Sequence, residues 1–516
     1  MKLFTAEQID RIDRYTIENE PVAGIDLMER AAVAMADYIV NCAHFQRYQE
    51  IFIFAGAGNN GGDALAIARL LLDRNLGKHI TVVLVLFRAT LSKSTAVNLQ
   101  RLQEYDHKYL TITDVVDEAS IPAITPSSFL IDGVLGRGVR LPIEGLCAAV
   151  VYRINHVSAF VVSIDIPSGL CAEDNTQNNF NNIVRANITL SLEYPKISFL
   201  FSEYHDIIGK CITIPVGLHP DAVREIITTY YMSDMEYAKS HTHPVRSKFA
   251  HKGWFGHALL IAGAQNKIGA ATLAARACMR SGVGLLTCHV PKPAVPIIHT
   301  TVPEAMCSAD PSEVMFTAPP AVEEFTAVGI GPGIGTDPAS QQALYTLLQA
   351  PPERLVLDAD ALNILAMNPE WLKLLPEDTI LTPHLKEFER LAGHVESSWE
   401  RLQLQRKLSR HWRAIIVLKG ANTSVSLPSG SVWFNSNGNP GMATAGAGDV
   451  LTGIILGLLA QRYLPRHAAR LGVFLHGLAG NLAAKKMGQE ALIASDIIDN
   501  IGAAYKIIHS EQRKVV

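Results

Sequence analysis

No apolar run in the sequence reaches the roughly 18 residues that a membrane-crossing helix needs, so no membrane partner is expected. The opening residues, Met1-Lys2-Leu3-Phe4-Thr5-Ala6-Glu7-Gln8-Ile9-Asp10, lack the apolar centre of an export signal and turn acidic at once. Cysteine is sparse: seven residues (Cys42, Cys147, Cys171, Cys211, Cys278, Cys288, Cys307), odd in number and never in CxxC spacing. That argues against a disulfide framework or a zinc ribbon, and reads as reduced, buried thiols in a cytoplasmic protein. A basic excess is also missing. With 45 Lys and Arg against 49 Asp and Glu, the net charge is -4, and no nucleic-acid surface is expected. What remains is the composition of a globular chain, 48% hydrophobic and 18% charged over 516 residues. That length exceeds one ordinary core and predicts two or three domains.

Thr5-Ala6-Glu7-Gln8 has capping-box form, with Phe4 as a staple, so a helix should start near residue 5. Leu27, Ala31, Ala34 and Tyr38 recur at helical spacing and predict a second helix over Asp26 to Asn41. Ile51-Phe52-Ile53-Phe54 is then a buried-strand run. The small polar loop Ala55-Gly56-Ala57-Gly58-Asn59-Asn60-Gly61-Gly62-Asp63 follows it, then a helix from Ala64 and a strand from Thr81. This β–loop–α–β order opens a doubly wound parallel sheet. The loop matches GxGxxG, but the second strand ends Leu86-Phe87-Arg88 with no ribose-binding acid, which lowers a dehydrogenase reading. Two more strands run into carboxylates, at Asp132 and at Asp165-Ile166-Pro167-Ser168. Strand ends converge on one crevice in such sheets, so Asn59, Asn60, Asp63, Asp132, Asp165 and Ser168 are expected to share a site for a hard cation or a proton transfer.

Between Asp221 and Lys248 the apolar periodicity fades, and Ser240-His241-Thr242-His243-Pro244 reads as a connector. His241, His243, His251 and His257 have no Cys or acid at ligand spacing and read as linker residues. Strand–helix alternation then resumes. Strands end at Gly331-Pro332-Gly333, at Asp358-Ala359-Asp360-Ala361-Leu362-Asn363, at Thr382-Pro383-His384 and at Lys419-Gly420-Ala421-Asn422-Thr423. The small-residue stretch Asn439-Pro440-Gly441-Met442-Ala443-Thr444-Ala445-Gly446-Ala447-Gly448 follows, closed by Asp449 and an apolar helical pattern. Small side chains let backbone N–H groups approach an anionic ligand, and the helix start favours it. The acid at the end suits proton handling beside a nucleotide.

On Asn59-Asn60-Gly61-Gly62-Asp63, Asp132, Gly136-Arg137-Gly138-Val139-Arg140-Leu141-Pro142 and Asp165-Ile166-Pro167-Ser168-Gly169, residues 1–220 resemble the YjeF N-terminal family, the NAD(P)H-hydrate epimerases. The resemblance implies a potassium ion held by Asn60, Asp132 and Ser168. It implies a hydrated nicotinamide nucleotide held by residues 59–63, residues 136–142 and Asp165, with Asp165 handling the proton. After a linker over 221–248, residues 249–516 resemble the YjeF C-terminal family, ADP- or ATP-dependent NAD(P)H-hydrate dehydratases of ribokinase-like fold. The motifs are those just named together with His251-Lys252-Gly253. By that resemblance residues 419–423 and 439–448 cradle ADP or ATP with Mg2+, and Ala270, Gly333, His384 and Asp449 contact the hydrate. Ala447 departs from the Ser or Thr common at its position, so weaker nucleotide binding is expected.

The expected fold is thus α/β in two domains, an N-terminal Rossmann-like three-layer sandwich and a C-terminal ribokinase-like one. The expected function is repair of hydrated NADH and NADPH (NADHX and NADPHX) by a homo-oligomer. Asp449 acts as general base while nucleotide phosphate activates the ring hydroxyl, and Lys419 neutralises phosphate charge. The alternative is a ribokinase-like small-molecule kinase with a non-catalytic ligand-sensing N-terminal domain.

Overall fold

Thr5 closes the capping box that its sequence predicts. Its hydroxyl accepts from Gln8 N at 3.3 Å, and the Gln8 side chain accepts from Thr5 N at 3.0 Å, opening a helix over Ala6–Asn19. The next helix, Gly24–Asn41, buries Leu27, Ala31 and Met35 along one stripe. The structure is a computed structural model and describes residues 1–105, 107–243 and 246–512. It divides into two compact units. The first holds Lys2–Thr228 with Ser397–Trp399, and the second holds the described residues from Thr229 on otherwise, with Met1.

The first unit is built on seven strands: β1 Glu50–Ala55, β2 His79–Val85, β3 Leu110–Val115, β4 Ser128–Gly133, β5 Phe160–Ile164, β6 Ile188–Leu192 and β7 Lys210–Ile214. All pairings are parallel, in the order β3-β2-β1-β4-β5-β6-β7. The order turns back at β1, which makes the gap between β1 and β4 the switch point where such sheets bind ligands. Side chains alternate between two cores. Ile51, Ile53 and Phe129 pack with the helices Gly24–Asn41 and Asn59–Asp73, whereas Phe54, Val83 and Leu130 pack towards the helix Gly145–Asn155. Burial on both faces is why β1 reads as a continuous apolar run.

In the second unit the strands are β8 Tyr230–Ser233, β9 His257–Ile261, β10 Leu285–Pro291, β11 Met306–Asp310, β12 Ala327–Ile330, β13 Leu355–Leu357, β14 Ile380–Leu381, β15 Ile415–Leu418, β16 Thr423–Ser426 and β17 Val432–Asn435. They are ordered β8-β17-β16-β15-β14-β13-β12-β9-β10-β11. From β15 to β11 every pairing is parallel, while β16 pairs antiparallel with both β15 and β17. The expected parallel sheet therefore carries an antiparallel flap at one side. Helices cover both faces: Ile268–Arg280, Ala447–Ala460 and Pro465–Met487 on one, Pro338–Gln349 and Asp360–Met367 on the other.

Three boundaries differ from expectation. The 221–248 stretch, expected as a connector, carries the strand β8 and the helix Met235–His241. These elements are too short to show a period, and β8 pairs with β17, far along the chain. Pro244 of that stretch lies outside the described residues. Helices also start earlier than their glycines suggest, at Asn59 and at Ala447. A Cβ at Gly61 would meet Gly56 O at 1.8 Å, so close packing overrides the poor helix propensity of Asn-Asn-Gly-Gly.

Candidate active sites

In the first unit a cavity of about 620 Å3 opens at the carboxyl ends of the strands. That is the size of a small-molecule site. Asn59, Asn60, Asp63, Gly136, Arg137, Gly138, Val139, Arg140, Pro142 and Asp165 line it. Gly61, Gly62 and Leu141 do not. The two glycines are buried in the first turn of the helix Asn59–Asp73, where a Cβ on Gly62 would meet Met28 Sδ at 2.9 Å.

Asp165 follows β5 with φ 61, the left-handed region, where a non-glycine residue is held at a cost of about 1 kcal/mol. Its Oδ1 accepts from Lys196 Nζ at 2.6 Å and Leu192 N at 3.1 Å, and Arg137 stands 3.6 Å from Oδ2. Burial alone would push this carboxyl up; Lys196 and then Arg137 outweigh it and hold it below the usual range. Arg137 in turn bonds Asp10 at 3.1 Å and forms a close ion pair with Asp13. Asp63 goes the other way. Burial first, then the charges of Asp165 and Asp13, push it well above the usual range, and Arg137 offsets them only in part. One cavity therefore holds two carboxyls driven in opposite directions, a division that suits acid–base chemistry.

Asp132 and Ser168 lie beneath the cavity lining. The Asp132 carboxylate accepts from Ser163 Oγ at 2.8 Å, Ser168 N at 2.9 Å, Ser168 Oγ at 2.5 Å and Val134 N at 3.3 Å. Burial pushes its carboxyl up despite these bonds, and among the described residues no cationic side chain pairs with it. Leu135 O receives the Asn60 amide at 3.0 Å and stands 3.2 Å from Ser168 Oγ. Asn60, Asp132 and Ser168 are thus brought together. A buried carboxylate among neutral oxygens, without a counter-cation, fits a hard monovalent cation.

In the second unit the strand-end loops converge in the same way. Gly331 has φ 130, and a Cβ there would meet Asp358 O at 1.8 Å; only glycine lets these two loops touch. Gly333 and Ala270 are neighbours, since a Cβ on Gly333 would lie 3.5 Å from Ala270 Cβ. Lys419 Nζ donates to Asp358 Oδ1 at 2.8 Å and stands 3.8 Å from Glu387. Thr452 Oγ1 donates to Asp358 Oδ2 at 2.7 Å. His384 caps the helix Leu385–Ala392 in a capping box with Glu387, its Nδ1 accepting from Glu387 N at 3.3 Å. Asp360 Oδ2 accepts from Gly335 N at 2.9 Å and Lys267 Nζ at 3.0 Å. The two aspartates flank Ala359, held at φ 49 and ψ -119.

Asp449 lies within the first turn of its helix rather than ahead of it, and the N-cap is Gly446, left-handed at φ 86. Among the described residues no hydrogen bond reaches its carboxylate. Burial, then the charge of Asp358, push it up to about 7, with Lys419 opposing. Lys419 sits beside the same turn, since a Cβ on Gly448 would lie 3.4 Å from its Nζ. Burial lowers the Lys419 ammonium, and Asp358, Glu387 and Asp449 reverse that and raise it. In the 439–448 stretch, Asn439 accepts from Gly441 N at 3.1 Å and donates to Asn481 at 3.1 Å, fixing the turn. Met442 faces Gly480 and Gly441 faces Gln489 O, while Ala443 and Ala445 are exposed. Thr423 begins β16 and closes the 420–423 turn by accepting from Gly420 N at 3.3 Å.

Sequence reasoning missed Lys196, Asp10, Asp13, Lys267, Glu387 and Thr452. Asp10 and Asp13 had a signal, three residues apart on a helix whose next turn brings Ile17 to the same cavity. Lys196 had little, a single lysine after a proline beyond β6.

A family model described as NAD(P)H-hydrate dehydratase matches residues 258–502, and one described as YjeF-related protein N-terminus matches residues 24–198. A bifunctional NAD(P)H-hydrate repair enzyme of Moorella thermoacetica is 33% identical, covering 100% of this chain and 99% of its own length. Its counterpart in Coxiella burnetii is 33% identical over 97% of this chain and 98% of its own. Among solved structures, an ADP/ATP-dependent NAD(P)H-hydrate dehydratase of Bacillus subtilis co-crystallised with ATP and Mg2+ matches with a TM-score of 0.48. It is 33% identical, over 54% of this chain and 98% of its own.

Proposed function

The chain belongs to the family of bifunctional NAD(P)H-hydrate repair enzymes, and from that premise we propose that it repairs hydrated NADH and NADPH at two sites. Epimerisation of NAD(P)HX belongs to residues 1–220, and ADP- or ATP-dependent dehydration of the S epimer to residues 249–516. The observation that carries the reading is Asp449, a partly buried carboxyl at about 7 with no hydrogen bond among the described residues. A base poised near neutrality at a helix start is what hydroxyl activation beside a nucleotide requires. A kinase with a sensing domain gains no support from relatives that match both units.

At the dehydratase site Asp449 takes the proton of the ring hydroxyl as that oxygen receives the terminal phosphoryl group of ADP or ATP. The C–O bond then breaks, the leaving phosphate carries off the proton of the adjacent ring carbon, and the dihydropyridine ring is restored. Lys419 stands between the nucleotide side and Asp358, Glu387 and Asp449, and screens their charge from the phosphates. Residues 419–423 and 439–448 form the nucleotide cradle, mostly through backbone groups. Ala270, Gly333 and His384 border the hydrate. Mg2+ bound with the nucleotide would neutralise phosphate charge, which leaves Asp449 free to act as the base.

At the epimerase site the hydroxyl-bearing carbon adjoins the ring nitrogen. Neutral Asp63 gives its proton to the hydroxyl, water leaves, and ionised Asp165 stabilises the resulting cation. Water returns to the opposite face and gives a proton back to Asp63. Lys196 and Arg137 hold the Asp165 carboxyl below the usual range, which suits it to be the charge partner of that cation. Potassium, held by Asn60, Asp132 and Ser168, would supply fixed positive charge beside the cavity floor.

The test is direct: mix a chemically prepared epimer mixture with the protein and ADP or ATP, and follow NADH absorbance and phosphate. Complete conversion to reduced cofactor with stoichiometric phosphate supports repair. A stable phosphorylated product, with no NADH, would support the kinase alternative instead.

A further inference from the structure

The epimerase cavity runs across six strand ends, and its charges are unevenly spent. At the β5 end, Arg137 is committed to Asp10, Asp13 and Asp165, and Lys196 to Asp165. At the β2 end the lining continues to Phe87 and Arg88. Arg88 is exposed, lies over the Phe87 ring at 5.3 Å, and has no ion pair among the described residues. It is also near enough to Cys147, another lining residue, to oppose the rise that burial imposes on that thiol. With the strands ordered β2-β1-β4-β5, Arg88 and Asp165 stand three strand spacings apart, roughly 14 Å. The start of the Asn59–Asp73 helix lies between them.

That layout suits one direction of a bound dinucleotide. The hydrated ring must reach Asp63 and Asp165, and the diphosphate falls at the helix start over Gly58 and Asn59. The far ribose then lies at the end of β2, where an acid would bind a free 2′-hydroxyl and an arginine accommodates a 2′-phosphate. Here that position holds an arginine with no ion pair among the described residues. We infer that Arg88 is the 2′-phosphate contact of the epimerase site, and that this site prefers NADPHX to NADHX. The inference rests on the epimerase reading above. It uses the guanidinium as a planar donor for phosphate, a charge-assisted pairing of the stronger kind.

The experiment takes the full chain with excess ADP, supplies purified R-NADPHX or R-NADHX, and measures kcat/KM for appearance of the reduced cofactor. Inhibition by 2′-phospho-ADP-ribose and by ADP-ribose is measured alongside. Wild type should favour R-NADPHX and the 2′-phosphorylated inhibitor by roughly 10- to 100-fold. Arg88→Ala should remove that preference while R-NADHX turnover changes less than about threefold, and Arg88→Lys should keep part of it. An equal effect of Arg88→Ala on both substrates, or none on either, overturns the inference and leaves the epimerase reading standing. Turnover of S epimers but of neither R epimer by wild type overturns both.

Discussion

Asp63 and Asp165 line one cavity and are driven in opposite directions: Asp165 lies 2.6 Å from the Lys196 ammonium, whereas Asp63 is buried among like charges. The contrast divides the epimerase chemistry between a neutral acid and an anion. It rests on Lys196, which is fully buried and whose strong partner is Asp165.

Lys196→Met removes the nearer of the two cations that hold the Asp165 carboxyl low. Epimerisation should fall by 100-fold or more, and loss of the nearer partner of a buried acid should cost about 3–5 kcal/mol of stability in the first unit. Dehydration of the S epimer should persist. Rates for each purified epimer, with thermal unfolding of the same preparations, check both expectations.

Asp63→Asn keeps the shape of the side chain and removes its proton. A loss of roughly 100- to 10,000-fold in epimerisation is expected. Because the Asp63 carboxyl is raised, wild-type epimerisation should hold through neutral pH and decline on the alkaline side as the acid is lost. A rate that instead climbs steadily with pH would assign the proton to another group.

Asp449 carries the opposite pH sign for activity, being needed as the anion. Dehydration should rise about tenfold per pH unit below about 7 and level off above it. Stability runs the other way. A carboxyl raised in the folded state binds its proton more tightly there than in the unfolded chain, so stability falls as pH rises from the ordinary carboxyl range to about 7. Asp449→Asn should therefore be more stable than wild type at pH 8, by an amount of order 1–4 kcal/mol, and no different at pH 4. Thermal unfolding at the two pH values reads it.

Ala447→Ser places a hydroxyl in the first turn of the Ala447–Ala460 helix, beside the expected phosphate position. Nucleotide affinity should tighten by roughly three- to tenfold, measured by titration calorimetry with ADP and ATP. No change would show that backbone donors alone set the affinity.

Much of this arrangement is legible in the chain. β1, β12 and β15 stand out because strands buried on both faces are written as apolar runs, and the loops after them carry acids and glycines of both sites. β11 and β16 do not stand out, since Met306–Asp310 and Thr423–Ser426 are short and mostly polar or small. The early helix starts at Asn59 and Ala447 were hidden by local propensity, which argues for loops at Asn-Asn-Gly-Gly and Ala-Gly. Packing around Gly61 and the left-handed Gly446 decides otherwise. Asp10 and Asp13 look like solvated helix charges until the fold brings Arg137 to them. Lys196 becomes visible as a partner of Asp165 only when β6 is placed beside β5.

The central claim, two sites acting in sequence on one damaged cofactor, is tested most directly by time courses of an R and S epimer mixture with ADP. Wild type should convert both epimers to NADH. Asp165→Ala should convert the S fraction at the wild-type rate and leave the R fraction to its slow spontaneous inversion, while Asp449→Asn should convert neither and still bind nucleotide. Consumption of both epimers at the wild-type rate by Asp165→Ala, or undiminished dehydration by Asp449→Asn, would contradict the account.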